Sequence, residues 1–243
     1  MTHAKLSAEL GIPKSSLTQL LGNLVERGYL SFKPGPNLYE IGPRLVELVE
    51  RQAQTMDMPR IAQRFCDKLT RETGESSSFY LLAGDESERI CGVNSSQSLT
   101  FNMRVGETAP LYATSSGKVM LAWMSEGELK AYLARVELRA FTGKTLTRAA
   151  ALKKGIAQVR NDTLAWSVEE YTQGIIGLAA PVAQSEHKLL GVLNIAYPSA
   201  RDNPAQRNRL GLALRAAASG LREALSAQSY QETLDLNHRA AIT

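Results

Sequence analysis

The chain has 243 residues, 44% hydrophobic and 21% charged, with a formal net charge of +4 and two cysteines. That size and composition suit a small soluble domain joined to a mid-sized one whose core needs no covalent staples. No apolar run approaches membrane-span length and no basic-then-apolar leader opens the chain, so neither a span nor a signal peptide is expected. Cys66 and Cys91 have no metal-like or CxxC spacing, which predicts reduced thiols in a cytoplasmic protein with no metal and no cofactor.

Thr2 to Leu10 reads as a short helix with Leu6 and Leu10 on one face. Gly11 breaks it, and Pro13 suits the first position of a second helix running to about Arg27. Leu17, Leu20, Leu21, Leu24 and Val25 repeat there at helical spacing, and Gly28 stops the helix. Tyr29–Phe32 and Leu38–Ile41 then flank a Lys33-Pro34-Gly35-Pro36-Asn37 tip, which predicts a β-hairpin. Helix, turn, helix, hairpin is the order of a winged helix.

The outer face of the second helix carries Lys14, Ser15, Ser16, Thr18, Gln19 and Asn23. Small and amide side chains of this kind can approach base edges. Gln19 has the geometry to pair with an adenine, Ser15, Ser16 and Thr18 can meet phosphate or a base edge, and Lys14 suits a phosphate. Lys33 at the hairpin tip would lie against the backbone or the minor groove. The plain alternative is an amphipathic helix with a solvated face.

Gly42-Pro43 punctuates the chain, and Arg44 to about Gln54 reads as a linker helix. A further helix spans about Pro59 to Thr73. Phe79–Leu82 and Ile90–Val93 read as strands, as does the alternation of Leu99, Phe101 and Met103. Ser115–Met124 and Glu126–Arg135 read as short helices and Ala149–Trp166 as a longer one. Strands Ile175–Val182 and Leu189–Tyr197 flank a polar turn, a closing helix runs from Asn203 to about Ser226, and the rest reads as a loose polar tail.

Ser115-Ser116-Gly117-Lys118 precedes an apolar helix, and a helix N-terminus with serine hydroxyls suits a carboxylate. An N-cap without ligand is the plain alternative. A phosphate loop is excluded, because Tyr112 stands where the first glycine belongs and Val119 follows Lys118. Catalysis has little support. None of His3, His187 and His238 sits beside a nucleophile in a predicted core element, and Glu169 and Glu170, as strand neighbours, would point to opposite faces.

Three stretches, Leu6–Leu17, Leu24–Leu30 and Tyr39–Leu45, resemble the IclR family of bacterial regulators. So do Ala109–Lys118, Glu169-Glu170-Tyr171, Gly174, Gly177 and Ala179–Val182. The resemblance implies an α+β chain: a winged helix-turn-helix over 1–42, a linker helix over 43–56, and a GAF-like effector-binding domain over 57–227. That domain would have a mostly antiparallel sheet flanked by helices, with a polar tail over 228–243. It implies a DNA-binding transcription regulator, more often a repressor, working as a homodimer or tetramer on a pseudo-palindromic operator. The effector would be a small organic acid or aromatic lined by Phe101, Ala109, Ser115, Ser116, Ser167, Ile175, Gly177, Asn194 and Ala196. Family members that take the smallest keto acids carry an acidic residue at the Ser167 position and a thiol at the Gly177 position, so a roomier pocket and a larger effector are expected here.

The family's winged helix opens with one more helix than the sequence shows. Without that wall Leu6, Leu10, Leu20 and Leu24 lack cover, at about 25 cal/mol per Å² of apolar area left wet. Either the start lies upstream or the DNA reader is weakened. The second option leaves open a ligand-sensing or oligomerisation module that has lost DNA binding.

Overall fold

The structure, a computed structural model, describes residues 1–45, 58–102, 104–185 and 188–240, with side chains as far as 227 in the last stretch. The chain divides into two compact units, residues 1–57 and 58–243. The expected linker helix falls largely outside the described residues.

In the N-terminal unit, α1 (His3–Leu10) and α2 (Lys14–Glu26) are followed by the hairpin β1 (Leu30–Lys33) and β2 (Leu38–Ile41). The Thr2 hydroxyl caps α1, and Gly11 closes it in the left-handed region at φ 64°. Pro13 is the residue before α2 and not its first turn: its φ of −55° fits a helix, but its ψ of 140° is extended. Gly28, at φ 75°, ends α2 in a Schellman arrangement. Its N–H donates to the Val25 carbonyl, and the Tyr29 N–H donates to the Leu24 carbonyl. Leu17 and Leu21, one turn apart, are buried, whereas Leu10 and Leu20 are exposed and Leu6 and Leu24 half-buried.

The C-terminal unit is built on a six-stranded sheet in the order β5-β4-β3-β8-β7-β6. Its strands are β3 (Ser76–Ala83), β4 (Glu86–Val93), β5 (Thr108–Pro110), β6 (Ala165–Val168), β7 (Ile175–Ser185) and β8 (Lys188–Pro198). Every neighbouring pair is antiparallel. Side-chain alternation divides the strands between two cores. Phe79, Leu178, Ala180, Leu193, Ile195 and Tyr197 pack with α3 (Met58–Thr73) and α7 (Pro204–Ala240). On the other face Tyr80, Ala179 and Val192 pack with α4 (Ser115–Trp123), α5 (Glu126–Arg135) and α6 (Ala149–Asp162). Cys66 and Cys91 are free thiols in the first core.

Three expectations need correction. Residues 99–102 form no strand; β5 pairs with β4 instead, and Met103 lies outside the described residues. The helix expected to reach Trp166 stops at Asp162, because Thr163 turns left-handed at φ 54° and Ala165–Val168 joins the sheet beside β7. The C-terminal helix runs through to Ala240, past the expected end near Ser226. Its later part is rich in Ala, Leu, Gln and Glu, which favour helix whether or not a core covers them.

Candidate effector cavity and DNA-reading face

The first turn of α4 sits against the middle of the sheet. Thr114 is its cap: the hydroxyl accepts from the Gly117 N–H at 3.1 Å and donates to the Pro110 carbonyl at 3.0 Å. The cap is therefore one residue earlier than the two serines singled out in the sequence. Ser115 and Ser116 occupy the first two helical positions, whose N–H groups have no intrahelical acceptor.

Ser115 and Ser116 line a cavity of about 50 Å³. All nine residues picked out on the resemblance line it: Phe101, Ala109, Ser115, Ser116, Ser167, Ile175, Gly177, Asn194 and Ala196. The sheet register explains the convergence. Ser167 of β6 pairs with Gly177 of β7, which pairs with Ala196 of β8, and Ala179 pairs with Asn194. Tyr80, Thr114, Tyr171 and Thr172 complete the lining. Strand alternation in Phe79–Leu82 could have supplied Tyr80, since it must face away from Phe79. Tyr171 stood in the motif but carried no positional argument.

The polar lining is neutral. Asn194 Nδ2 donates to Ser115 Oγ at 2.8 Å, which leaves the Ser115 proton available to a ligand. Ser167 Oγ donates to the Ala113 carbonyl at 2.8 Å, so its proton is taken. Ser116 Oγ lies 3.3 Å from Ser87 Oγ. Burial pushes the Tyr80 hydroxyl up to about 12, so it stays protonated. The site thus offers two backbone N–H groups, a hydroxyl donor and the positive end of a helix, which together suit a carboxylate oxygen.

The inner chamber is smaller than the residue types suggested. An ideal Cβ on Gly177 would lie 2.6 Å from Ser115 Oγ, so that hydroxyl already fills the space the missing side chain leaves. The room lies outside. A hollow of about 500 Å³ bounded by Asn102, Glu107, Thr108 and Phe141 shares Phe101, Tyr171 and Thr172 with the inner cavity. An effector with a carboxylate inside and a larger body outside fits this shape.

The wall carrying Tyr171 and Thr172 is tied down from behind. Lys118 of α4 bonds the Trp166 carbonyl at 3.0 Å and Glu170 Oε1 at 2.5 Å, both side chains being nearly fully buried. Thr142 and Thr145 donate to the carbonyls of Glu169 and Glu170. Glu169 turns the other way at φ 56° and pairs with Lys144 at 3.1 Å. The two neighbouring carboxylates therefore have separate structural partners.

On the N-terminal unit Lys14, Ser15, Ser16, Thr18, Gln19 and Asn23 are all exposed on α2. Thr18 is already engaged: its hydroxyl donates to the Lys14 carbonyl and lies 3.0 Å from His3 Nε2 on α1. Lys33 ends β1 and is paired with Glu40 at 2.7 Å, which dilutes its charge at the hairpin.

The family model described as "Bacterial transcriptional regulator IclR C-terminal" matches residues 50–222, and the one described as "IclR helix-turn-helix domain" matches residues 1–34. The chain is 30% identical over 220 residues to the HTH-type transcriptional regulator XynR of Escherichia coli, covering 90% of this chain and 87% of that one. It is similar to the Thermotoga maritima IclR structure at a TM-score of 0.67 and 25% identity, covering 93% of this chain and 91% of that one. The inducer-binding domain of a PobR double mutant from Acinetobacter, solved with 3-hydroxybenzoic acid, aligns at a TM-score of 0.61 and 26% identity. That alignment covers 68% of this chain and 97% of that one.

Proposed function

The chain belongs to the IclR family of bacterial transcriptional regulators, and on that premise we propose that an organic carboxylate held at the start of α4 governs its DNA binding. It is a DNA-binding regulator with a C-terminal effector domain, not an enzyme. Among the described residues no helix is long and apolar enough to cross a membrane, and we place the protein in the cytoplasm.

The observation that carries the effector reading is the convergence of Ser115, Ser116, Asn194 and Gly177 on one cavity at a helix N-terminus. The carboxylate takes the two N–H groups and the Ser115 proton, while Phe101, Ile175 and Tyr171 cover an apolar body. The complex of a PobR inducer-binding domain with 3-hydroxybenzoic acid is in keeping with a ligand of that class. The regulator acts as a homodimer or tetramer on a pseudo-palindromic operator, and repression is the expected output. The effector shifts the balance between two arrangements of the readers only as far as it binds one better than the other.

The test is a gel shift on DNA upstream of the gene, repeated with a panel of small organic acids. A specific, salt-sensitive shift that one acid weakens supports the reading; a shift that no acid alters removes it. Gly177→Ala is expected to push Ser115 Oγ out of its bond with Asn194. Acid binding should weaken about tenfold, while the melting temperature of the free protein changes little, because a hydroxyl can rotate away at small cost. Calorimetric titration checks this, and undiminished affinity would place the ligand elsewhere.

On the DNA side, Gln19→Ala is expected to relax preference at one base position by about 1–3 kcal/mol. Lys14→Ala should weaken all sequences alike and lower the salt slope by about 1. Binding to a set of singly altered operators separates the two. If both variants changed base preference equally, these roles would be misassigned.

A further inference from the structure

Four charged side chains are buried among the described residues: Glu75, Arg89, Lys118 and Glu170. Three are paired, Glu75 with Arg201 and Lys118 with Glu170. Arg89, 3% exposed, is the exception. The one hydrogen bond from its side chain among the described residues runs from Nη2 to Asn94 Oδ1 at 3.3 Å, and its buried Nε meets no acceptor.

Its position is informative. Arg89 stands on β4 directly opposite Tyr80 of β3. Two residues earlier, Ser87 leaves the strand on the same face and touches Ser116. Tyr80 and Ser116 both line the effector cavity. An ideal Cβ on Gly92 would lie 2.7 Å from Arg89 Nη2 and 2.6 Å from Ser78 Oγ, so the guanidinium and the Ser78 hydroxyl both border the bare Gly92 backbone. Ser78 pairs with Asn194, a further cavity residue. The cation thus lies one layer behind a cavity whose own lining is uncharged.

A guanidinium cannot shed its proton to escape burial, and an unpaired buried charge is costly. In a water-poor interior its field also extends well beyond contact distance. We propose that Arg89 is the counter-charge of the effector, a positioning residue that makes the cavity select an organic anion over its neutral isostere. The inference rests on the effector reading above and deepens it. The N–H groups of α4 place the anionic group, and Arg89 sets the preference for its charge. A neutral amide of the same shape keeps one carbonyl acceptor for those donors and gains nothing from the buried cation.

The experiment uses the full chain, with benzoate, 4-hydroxybenzoate, pyruvate and succinate, each beside its amide, in thermal-shift and calorimetric titrations. For wild type, at least one carboxylate is expected to bind about tenfold or more tightly than its amide. Arg89→Met should cut that ratio several-fold, leaving only the preference that the start of α4 supplies, and Arg89→Lys should keep most of it. The free Arg89→Met protein should melt no lower than wild type, since no ion partner is orphaned. A merely structural arginine would instead lower the melting temperature and leave the ratio intact. A ratio unchanged in Arg89→Met, or in Arg89→Gln should the first variant fail to fold, overturns the Arg89 assignment while leaving the effector reading in place. Equal binding of acid and amide by wild type also overturns it. If no member of any pair binds, the effector reading falls and this one falls with it.

Discussion

Lys118→Met is expected to destabilise the C-terminal unit by about 3–5 kcal/mol, whereas the double change Lys118→Met with Glu170→Leu should be neutral or stabilising. The single variant strands a carboxylate inside the protein. Glu170 Oε1 loses its lysine partner, and Oε2 is already buried without a hydrogen bond. For a unit of this size the loss corresponds to a fall of about 6–20 °C in melting temperature.

Burial drives the Lys118 ammonium below its ordinary value and the Glu170 carboxyl above its own, with the mutual attraction opposing both shifts. For each group, then, removal from water outweighs the partner at neutral pH. The signs agree. A lysine with a lowered folded value is more protonated in the unfolded chain over that window, so folding becomes more favourable as pH rises through it. A carboxyl with a raised folded value holds its proton longer when folded, so its contribution weakens as pH rises from 4.5 through that raised value. Both charges cost stability near pH 7, and two apolar side chains of similar bulk remove both costs. Thermal melts of the four proteins of the double-mutant cycle check this. Additive losses in the double variant would show that the pair is not coupled as described.

The pair also shows what the sequence could and could not reveal. Lys118 and Glu170 are far apart in the chain, and no periodicity links them. Glu169-Glu170 was visible as a doublet and as part of a family motif, but not the left-handed turn at Glu169 that sends the two carboxylates to different cations. Elements with a strong period were legible: α2 with its leucine stripe, α4 and α5, and the apolar strands β7 and β8. The alternation of Leu99 and Phe101 misled, because alternating apolar residues in a loop look like a half-buried strand until a partner is found. Here Phe101 faces the cavity and Leu99 faces solvent. The nine cavity residues came from the resemblance, since sheet register cannot be computed from one sequence. Arg89 was invisible for the same reason: only register places it opposite Tyr80.

Gly117→Ala should damage stability and effector binding together. An ideal Cβ there would lie 2.2 Å from Leu111 Cα and 2.3 Å from the Leu111 carbonyl oxygen. Both are backbone atoms of the 3₁₀ turn before α4 (Leu111–Ala113), whose three residues are buried, so no side chain can rotate to make room. The first turn of α4 must instead move off that turn by about 1 Å or more, since contacts of this kind sit near 3.5 Å. Such a shift strains the Thr114 cap on the Gly117 N–H and carries Ser115 and Ser116 away from the cavity. Overpacking of this kind costs about 1–3 kcal/mol, and the displaced donors should reduce acid binding below detection.

Gly155→Ala is the matched control. Gly155 lies inside α6, and nothing stands within 4 Å of its ideal Cβ. Exchanging a helix-interior glycine for alanine with no clash should raise stability by about 0.5–1 kcal/mol and leave acid binding unchanged. The opposite signs at two helical glycines would separate close backbone approach from helix propensity. A Gly117→Ala protein that melts like wild type and binds the acid normally would mean that α4 does not pack on Leu111 as described, and the geometry of the whole cavity mouth would have to be redrawn.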